Sequence, residues 1–480
     1  MRNKESKPCS HLSSVLHSPA MALLDSTDMR PVHFMGIAGA GMSALAELCA
    51  RRGVPVSGCD QSGEGAPDLE RLGVAVSRGH DASHLSGHRA LVVSSAVPKT
   101  HPEIERARAM GLPVIRRAEA LAQATEGGRL VAIAGTHGKS TTTVMVTEAL
   151  QSAGIDATGV VGARVAAWNG NLSAGADEVF VVEADEYDRS FLALAPQVAV
   201  VTNVDVDHLD IYRDLADIKS AFAQFLRGAR WIIVCADDAN ANALHTPPSA
   251  EVIRYGIGSA ECRLVARHIE IKNGVTSFDV RYDGRPAGRI QLGLPGEHNV
   301  RNALAALAVG LGTWGVTVGE MAPGLARCIG AERRFQRVGE ARGVTVIDDY
   351  AHHPTEIRAT LAAARLAFAG RRIVAAFQPH LYTRTRDFAA EFGAALAKAD
   401  RLFLADVYPA RESPIAGVSS QLIADAMLSL ARAPDWQGPR GELATALSAS
   451  AQEGDVVLTI GAGDITKTGP ELLALLEQAP

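Results

Sequence analysis

The sequence contains few aromatic residues, only 5% of the chain, and no apolar run long enough to span a bilayer. Its six cysteines include no CxxC pair, which argues against a zinc-binding motif and against a disulfide framework. The net charge of -6 argues against a general affinity for nucleic acid or anionic membranes. Short internal repeats and low-complexity tracts are also absent. These absences leave an ordinary globular protein.

The composition is typical of an α/β enzyme. Of the 480 residues, 47% are hydrophobic and 21% are charged, with Ala, Gly and Val abundant. A chain of this length exceeds one hydrophobic core, so we expect about two to three domains. The scattered cysteines, several of them inside apolar patterns, indicate buried reduced thiols and a cytoplasmic protein. The Ser/His-rich residues 1–29 are predicted to be a disordered tail.

Short apolar runs alternate with helical patterns from Pro31 onward. The order predicts three α/β domains in series: a Rossmann-like N-terminal domain (30–124), a central P-loop-type ATPase domain with a mixed sheet (125–328) and a Rossmann-like C-terminal domain (329–480). The alternating segment Leu264–Leu292 indicates antiparallel strands. The other strands are predicted at Pro31–Ile37, Val54–Cys59, Ala90–Ser94, Leu112–Ile115, Leu130–Ala134, Glu178–Val182, Val198–Thr202, Trp231–Cys235, Val344–Ile347, Ile373–Phe377, Leu402–Ala405 and Val456–Ile460, and helices at Met42–Arg52 and Asn299–Gly310.

An apolar strand runs directly into a glycine turn and a helix at residues 135–140. Such a turn lets backbone N–H groups converge on phosphate oxygens, with Lys139 neutralising them and the Ser140 hydroxyl ligating Mg²⁺. Ile133 stands where the standard Walker A motif has its first glycine, so the loop is a variant. An ordinary turn with an exposed lysine is the alternative, and the order of strand, Gly-Lys-Ser and helix favours ATP. The loop residues assigned to ATP are Gly135, Thr136, His137, Gly138, Lys139, Ser140 and Thr141.

Carboxylates follow the next apolar strand. Glu183 opens the acidic cluster Glu183–Glu186, and His208 lies just past the strand that ends at Thr202. Doubly wound sheets collect their ligands at the carboxyl ends of strands, and Mg²⁺ prefers oxygen ligands. A solvated acidic loop and a structural histidine are the alternatives. The residues predicted to serve the metal are Ser140, Glu183 and His208.

A second glycine turn follows the first strand. It holds a GxGxxA pattern at Gly39, Gly41 and Ala44, and Asp60 ends the next strand, as the dinucleotide fingerprint requires. Alone, this pattern indicates an NAD-dependent oxidoreductase. Physically it requires only a pyrophosphate at a helix N-terminus, and a UDP-sugar carries a pyrophosphate too. Two phosphate-binding turns in one chain therefore fit a nucleotide-activated substrate together with ATP.

The motifs, taken in order, resemble the Mur ligase family over about residues 31–468. The segments that carry the resemblance are Gly36–Ser43, Ser94–Ala96, Gly135–Lys139, Glu183–Glu186, Thr202–Asn203, Asp207–His208, Gly296–Ala303, Arg333–Phe335, Asp348–Pro354, Gln378–Arg384 and Tyr408–Glu412. No single segment is decisive, but their order and spacing together are specific.

The resemblance implies an ATP-dependent ligase. The γ-phosphate would pass to the carboxylate of UDP-N-acetylmuramate, and L-alanine would attack the resulting acyl phosphate. The implied cofactors are ATP and Mg²⁺, with small-molecule substrates, no nucleic acid, no membrane insertion and a monomer or homodimer. The residues implied for catalysis are Lys139, Glu183, His208, Arg334 and His352; for ATP also His298, Asn299, Asn302, Arg334 and Asp349; for the UDP-sugar Gly36, Gly39, Gly41, Met42, Ser43, Asp60, Ser94 and Ser95; and for the amino acid Tyr350, His352, His380 and Arg384.

The sequence departs from the family pattern at three places. Ser140 replaces the commoner Thr and keeps the hydroxyl, Ala351 replaces a frequent Gly, and Leu381 stands where many relatives carry Arg. Three alternatives remain open at this point. They are a sibling ligase that attaches a tripeptide to the same UDP-sugar, an NAD-dependent oxidoreductase and a non-catalytic nucleotide-binding regulator.

Overall fold

The structure is a computed structural model that describes residues 23, 28–61, 66–94, 97–258, 261–272 and 274–478. Three β-sheets follow one another along the chain, and helices connect most of their strands. The predicted α/β class with three units in series is confirmed. Cys9, Ser95 and Ala96 lie outside the described residues, as does most of the predicted tail.

The first sheet is parallel throughout. Its strands are β1 (Val32–Met35), β2 (Val56–Asp60), β3 (Ala75–Arg78), β4 (Ala90–Val93) and β5 (Val114–Arg116), and its helices are α1 (Ala40–Arg51), α2 (Pro67–Glu70), α3 (Pro102–Ala109) and α4 (Arg117–Ala124), with a 3₁₀ turn at Ala82–Leu85. The spatial order is β3-β2-β1-β4-β5. The order reverses direction between β1 and β4, which is where such sheets bind ligands.

The second sheet has ten strands. They are β6 (Arg129–Ala134), β7 (Thr158–Val165), β8 (Gly170–Ser173), β9 (Val179–Glu183), β10 (Val198–Val201), β11 (Trp231–Cys235), β12 (Glu251–Gly256), β13 (Leu264–Lys272), β14 (Val275–Tyr282) and β15 (Arg285–Leu292). Their order is β15-β14-β13-β12-β11-β10-β6-β9-β7-β8. The pairs β13–β14 and β14–β15 are antiparallel, which confirms the prediction for residues 264–292. Sequence reasoning missed β7, β8 and β12.

Helices cover both faces of the central strands of this sheet. They are α5 (Lys139–Ser152), α6 (Leu215–Phe225), α7 (Ala239–Asn242), α8 (Glu297–Thr313) and α9 (Val318–Arg327), with 3₁₀ turns at Ala166–Trp168 and Tyr187–Ala193. Strands buried on both faces read as continuous apolar runs, and the run Val131–Ala134 is fully buried. Because β10, β6 and β9 are adjacent and parallel, their carboxyl ends lie side by side. That edge carries the phosphate loop and the acidic cluster.

The third sheet follows the order β16-β17-β21-β18-β19-β20. Its strands are β16 (Gln336–Ala341), β17 (Val344–Asp349), β18 (Ile373–Phe377), β19 (Arg401–Ala405), β20 (Trp436–Gly438) and β21 (Val456–Ile460). Its helices are α10 (Pro354–Ala367), α11 (Tyr382–Asp387), α12 (Ala389–Leu396), α13 (Gln421–Leu428), α14 (Arg440–Ser450) and α15 (Thr468–Gln478), with a 3₁₀ turn at Asp464–Lys467. Only the edge strand β16 is antiparallel to its neighbour. Among the described helices, none is long and apolar enough to cross a membrane.

Candidate active site

The turn between β6 and α5 depends on its two glycines. Gly135 and Gly138 have φ values of 135° and 82°, which side chains other than glycine rarely adopt. A Cβ at Gly135 would also collide with the Thr202 hydroxyl. The close approach of backbone to backbone is what allows a loop of this kind to wrap a phosphate.

Asn203, at the end of the neighbouring strand, holds this turn in place. Its Oδ1 accepts from the His137 N–H at 2.8 Å, and its Nδ2 donates to the His137 carbonyl at 2.9 Å. The Thr202 hydroxyl donates to the same carbonyl at 2.7 Å. The turn is therefore fixed before any ligand arrives. Sequence reasoning noted Asn203 but gave it no role in positioning the loop.

Lys139 lies at the first position of α5 and forms a buried ion pair with Glu186. Its Nζ stands 2.7 Å from Glu186 Oε2 and donates to the Gly135 carbonyl at 2.8 Å. Burial alone would lower the pKa of Lys139, but Glu186, Asp185 and Glu183 raise it above its usual range, so the ammonium stays charged. Sequence reasoning placed Glu186 in the acidic cluster without assigning it a partner.

Ser140 and Glu183 face each other across the loop. The Ser140 hydroxyl lies 3.0 and 3.1 Å from the two oxygens of Glu183, and the Gly162 N–H donates to Oε2 at 2.7 Å. His208, the third predicted metal ligand, lies beside Glu186, with 3.7 Å between its Nε2 and Glu186 Oε1. Glu186 Oε1 is buried without a hydrogen-bond partner among the described residues. These oxygen atoms suit Mg²⁺, which prefers carboxylate and hydroxyl ligands.

Two adjacent arginines enter the site from the third sheet and behave differently. Arg333 donates to Asp348 Oδ2 at 3.0 Å and to the Gly461 carbonyl at 2.6 Å, which ties it to its own domain. Arg334 extends toward the phosphate loop, where its Nη1 lies 3.5 Å from Glu356 Oε1. Arg334 therefore lines the same cavity as the phosphate loop.

Glu356, which sequence reasoning missed, contacts three of the predicted residues, His137, Arg334 and His352. Its Oε1 lies 3.3 Å from His137 Nδ1, and its Oε2 accepts from the His352 N–H at 2.9 Å. Burial opposes ionisation, but the charged His137 and Arg334 hold the pKa of Glu356 well below its usual range. In the sequence this glutamate looks like an ordinary helix cap, because it also closes the capping box of α10 with His353.

His137 is charged in this arrangement. Burial alone would lower its pKa, but the Asp205 and Glu356 carboxylates raise the pKa of His137 to about 9. The Asp205 carboxylate lies 3.6 Å from His137 Nε2 and also accepts from the Thr355 hydroxyl at 2.8 Å. The phosphate loop therefore carries a second positive charge besides Lys139.

The residues predicted for the amino acid meet at one end of the cavity. Burial lowers the pKa of His352 to about 3 and that of His380 to about 4, so both imidazoles are neutral. His380 stacks on Tyr408, and its buried Nδ1 has no hydrogen-bond partner in the described part of the chain. Arg384 is buried and donates to Asp207 Oδ1 at 2.6 Å, which joins the third sheet to the second.

A cavity of about 650 Å³ contains this constellation. It is lined by Lys139, Ser140, Glu183, His208, Arg334, Tyr350, His352, His380 and Arg384, among others. His208, Arg333 and Leu381 have positive φ values of 53°, 60° and 72° and also line it. Strained backbone of this kind gathers at functional sites.

A second cavity, of about 370 Å³, opens from the first at His137 and Arg334. Its walls combine apolar Tyr255, Leu294 and Phe335 with polar groups. The predicted ATP residues among its lining are His137, Gly138, Thr141, His298, Asn299, Asn302, Arg334 and Asp349. Burial raises the pKa of Asp349 to about 6, although its oxygens accept from the Phe335 and Ala351 N–H groups. The size and mixed lining suit a purine nucleoside.

A third cavity, of about 390 Å³, lies at the glycine turn of the first sheet. Of the residues predicted for the UDP-sugar, Gly36, Gly39, Gly41, Met42 and Ser94 line it. Asp60 and Ser43 do not: Asp60 Oδ2 accepts from the Ala38 N–H at 3.0 Å, and Ser43 donates to the Ala40 carbonyl at 3.0 Å. Both side chains therefore brace the turn in this structure.

Arg117 lines the same cavity and was missed by sequence reasoning. Its guanidinium lies against Gly41, where any larger residue would meet its Nη1. Arg117 is the first residue of α4 and looks like an ordinary surface arginine in the sequence. The cavity continues into the first one through Gly162, Glu183 and Tyr187, which line both.

Family comparisons match most of the chain. The models described as Mur ligase family, catalytic domain, Mur ligase middle domain, and Mur ligase, glutamate ligase domain match residues 31–129, 133–310 and 333–463. A UDP-N-acetylmuramate–L-alanine ligase of Cutibacterium acnes is 44% identical, over 95% of this chain and 98% of the relative. The protein of the same name from Acidothermus cellulolyticus is 45% identical, over 93% and 95%.

Comparison with solved structures shows the same fold. UDP-N-acetylmuramate-alanine ligase MurC from Thermotoga maritima superposes with a TM-score of 0.78 at 28% identity, covering 92% of this chain and 98% of that one. A murein peptide ligase from Psychrobacter arcticus, at 24% identity and a TM-score of 0.68, covers 94% and 99% and shares the fold. On these matches, the chain belongs to the Mur ligase family.

Proposed function

We propose that this chain joins L-alanine to the carboxylate of UDP-N-acetylmuramate, using ATP and passing through an acyl phosphate. The observation that carries the proposal is the single cavity in which Lys139, Ser140 and Glu183 of the second sheet face His352 and His380 of the third. The relatives that bear this activity in their names are 44–45% identical over nearly their whole length. The reaction belongs to peptidoglycan precursor synthesis, and the proposed location is the cytoplasm.

Each of the three units would bind one substrate. We assign the UDP-sugar to residues 30–124, ATP to 125–328 and the amino acid to 329–480. The glycine turn of the first unit and Arg117 would bind the pyrophosphate, because backbone N–H groups and a guanidinium both favour phosphate oxygens. The adenosine would occupy the cavity near His298 and Asp349, with its phosphates at Lys139.

The first chemical step transfers the γ-phosphoryl group. A carboxylate oxygen of the muramoyl group attacks phosphorus, the bond from phosphorus to the bridging oxygen of ADP breaks, and ADP leaves. Lys139, the charged His137 and Arg334 stabilise negative charge on the transferred group, which is the main source of catalysis in such reactions. Bound Mg²⁺, held by Ser140 and Glu183 with His208 and Glu186 nearby, would neutralise phosphate oxygens.

The second step forms the amide. The alanine nitrogen attacks the carbonyl carbon, the bond from that carbon to the phosphate oxygen breaks, and inorganic phosphate leaves while the amine loses a proton. His352 Nδ1 lies 3.1 Å from the Tyr350 carbonyl, so we assign that nitrogen the proton and Nε2 the acceptor role. Arg384 has further N–H donors besides the one on Asp207, and these would receive the alanine carboxylate.

Phosphate release tests the proposal. The chain is incubated with ATP, Mg²⁺ and UDP-N-acetylmuramate, and then with each single amino acid or with a tripeptide. We expect release that depends on L-alanine and on the UDP-sugar. Release with the tripeptide alone would favour the sibling ligase, and hydride transfer to NAD without ATP hydrolysis would refute both.

A further inference from the structure

A cluster of metal-ligating side chains lies in the first sheet, away from the cavities described above. Cys59 on β2 is fully buried, and its Sγ lies 3.1 Å from His80 Nδ1 and 3.5 Å from Glu103 Oε1. The Glu103 oxygen in turn lies 4.0 Å from His80 Nδ1 and 3.8 Å from His84 Nδ1. Three elements, β2, the loop after β3 and α3, bring the ligand atoms of Cys59, His80 and Glu103 within 4.8 Å of one another, and the 3₁₀ turn places His84 beside Glu103.

The cluster lacks a cation to balance its carboxylate. Glu103 is 0% exposed, and within the described residues its ion-pair partners are these two imidazoles, with no lysine or arginine. A buried carboxylate without a positive partner is strongly unfavourable. His84 Nδ1 is also buried without a hydrogen-bond partner in the same part of the chain. A cation at the centre would satisfy both groups.

We infer that Cys59, His80 and Glu103, with His84 beside Glu103, form a binding site for a divalent transition-metal ion of the zinc class. Thiolate, imidazole and carboxylate are the ligands that zinc takes, and bonds of about 2.0–2.3 Å in a tetrahedron separate ligand atoms by about 3.3–3.8 Å. The separations between the ligand atoms of Cys59, His80 and Glu103, 3.1–4.0 Å, lie around that range. Mg²⁺, which prefers oxygen, does not fit this set.

The surroundings support the site. His33, on β1 beneath the cluster, places Nε2 3.4 Å from Cys59 Sγ, and its Nδ1 is hydrogen-bonded to the Ser57 hydroxyl at 2.9 Å. His80 and His84 are partly exposed, at 17% and 21%, which gives an ion access from solvent.

The backbone of Cys59 also contacts the glycine turn that follows β1 in the first sheet. The Cys59 carbonyl accepts from the Gly36 N–H at 2.8 Å and from the Ile37 N–H at 3.1 Å. An ion on the Cys59 thiolate would therefore stiffen the glycine turn that lines the first-domain cavity. This consequence rests on the proposed function, whereas metal binding itself does not. The absence of a CxxC pair misleads here, because the ligands come from separate elements.

Cobalt titration of the chelator-treated full chain tests the site. We expect one Co²⁺ to bind with a thiolate-to-metal absorption band, and Zn²⁺ to displace it. Cys59→Ser should abolish the band, and His80→Ala, a change at a partly exposed residue, should weaken Zn²⁺ binding by more than about 100-fold, since loss of an outer partner alone costs about 10–100-fold. Cys49→Ser and Cys235→Ser should keep the band.

Two results would overturn the inference. One is a wild-type chain that shows no thiolate band and retains no Zn²⁺ against a weak chelator. The other is a band that survives in Cys59→Ser or disappears in Cys235→Ser. Cys235 lines the second cavity, which we assign to the adenosine, and not the metal site. Zinc binding in a chain without ligase activity would keep the metal site and refute the proposed function instead.

Discussion

Lys139 and Glu186 form a buried ion pair, with 2.7 Å between Nζ and Oε2, at the first turn of α5, the helix that follows the phosphate loop. The pair gives the lysine two tasks, because it faces the cavity and also compensates a carboxylate that is almost completely buried.

Lys139→Ala should therefore lose both turnover and stability. Removing one partner of a buried pair costs about 3–5 kcal/mol, because the other charge stays behind. We expect ligase activity to fall to background and the thermal midpoint to drop. The double variant Lys139→Ala/Glu186→Gln should recover most of the lost thermal stability, seen as a thermal midpoint close to that of wild type, but none of the ligase activity. Near-normal activity in the single variant would remove Lys139 from the mechanism.

Gly135→Ala should inactivate the enzyme through geometry alone. The added Cβ meets the Thr202 hydroxyl, and a φ of 135° strains any residue other than glycine. Gly228→Ala is the matched control, because nothing lies within 4 Å of its Cβ. Steady-state rates should fall at least about 100-fold in the first variant, as expected when reacting groups are misplaced by about 1 Å. Equal rates in both variants would contradict this account.

Stability should depend on pH through His137. Its folded pKa of about 9 lies above the value of 6.5 for a free imidazole, so the stabilisation is complete below about pH 6.5 and is lost as the pH rises through 9. The contribution is on the order of 3 kcal/mol. The difference in unfolding free energy between wild type and His137→Asn should therefore shrink from pH 6 to pH 9.5. A constant difference would show that Asp205 and Glu356 do not hold the charged form.

Arg117→Ala should raise the KM for the UDP-sugar and leave the KM for ATP unchanged. Its guanidinium lines the first-domain cavity only, and a lost charge-assisted hydrogen bond costs about 1.5–3 kcal/mol, or roughly 10–150-fold in binding. Arg106→Ala, an exposed change on α3, is the control and should match wild type. Parallel changes in both KM values would indicate a general loss of structure.

The parts of the site that sequence alone predicts are contiguous in the chain. The loop at 135–140 has its strand, glycines, lysine and helix within a dozen residues, so its local chemistry is visible without the fold. Glu356 escapes prediction because the same carboxylate also caps a helix, and capping glutamates are common. Cys59 and Glu103 escape it because 44 positions separate them and only the first sheet brings them to 3.5 Å.

The residues predicted for the UDP-sugar show that sequence alone does not predict the direction in which a side chain points. The GxGxxA pattern correctly locates a turn with space for a ligand, but Asp60 braces that turn through the Ala38 N–H. A pattern fixes which residue types stand near a turn. Which way each side chain points depends on contacts such as that of Asn171, whose Nδ2 donates to the Ala40 carbonyl from the second sheet at 2.8 Å.

The bond between Arg384 and Asp207 joins two domains across the cavity that holds the reaction, and both partners are buried. Burial opposes ionisation of Asp207, but the Arg384 guanidinium holds its pKa far below the usual range, so the bond stays ionic at every physiological pH. We expect substrates large enough to fill the cavity to enter and leave when the domains move apart. Such an opening would separate Arg384 from Asp207, so we expect the strength of this ion pair to affect the rate of product release.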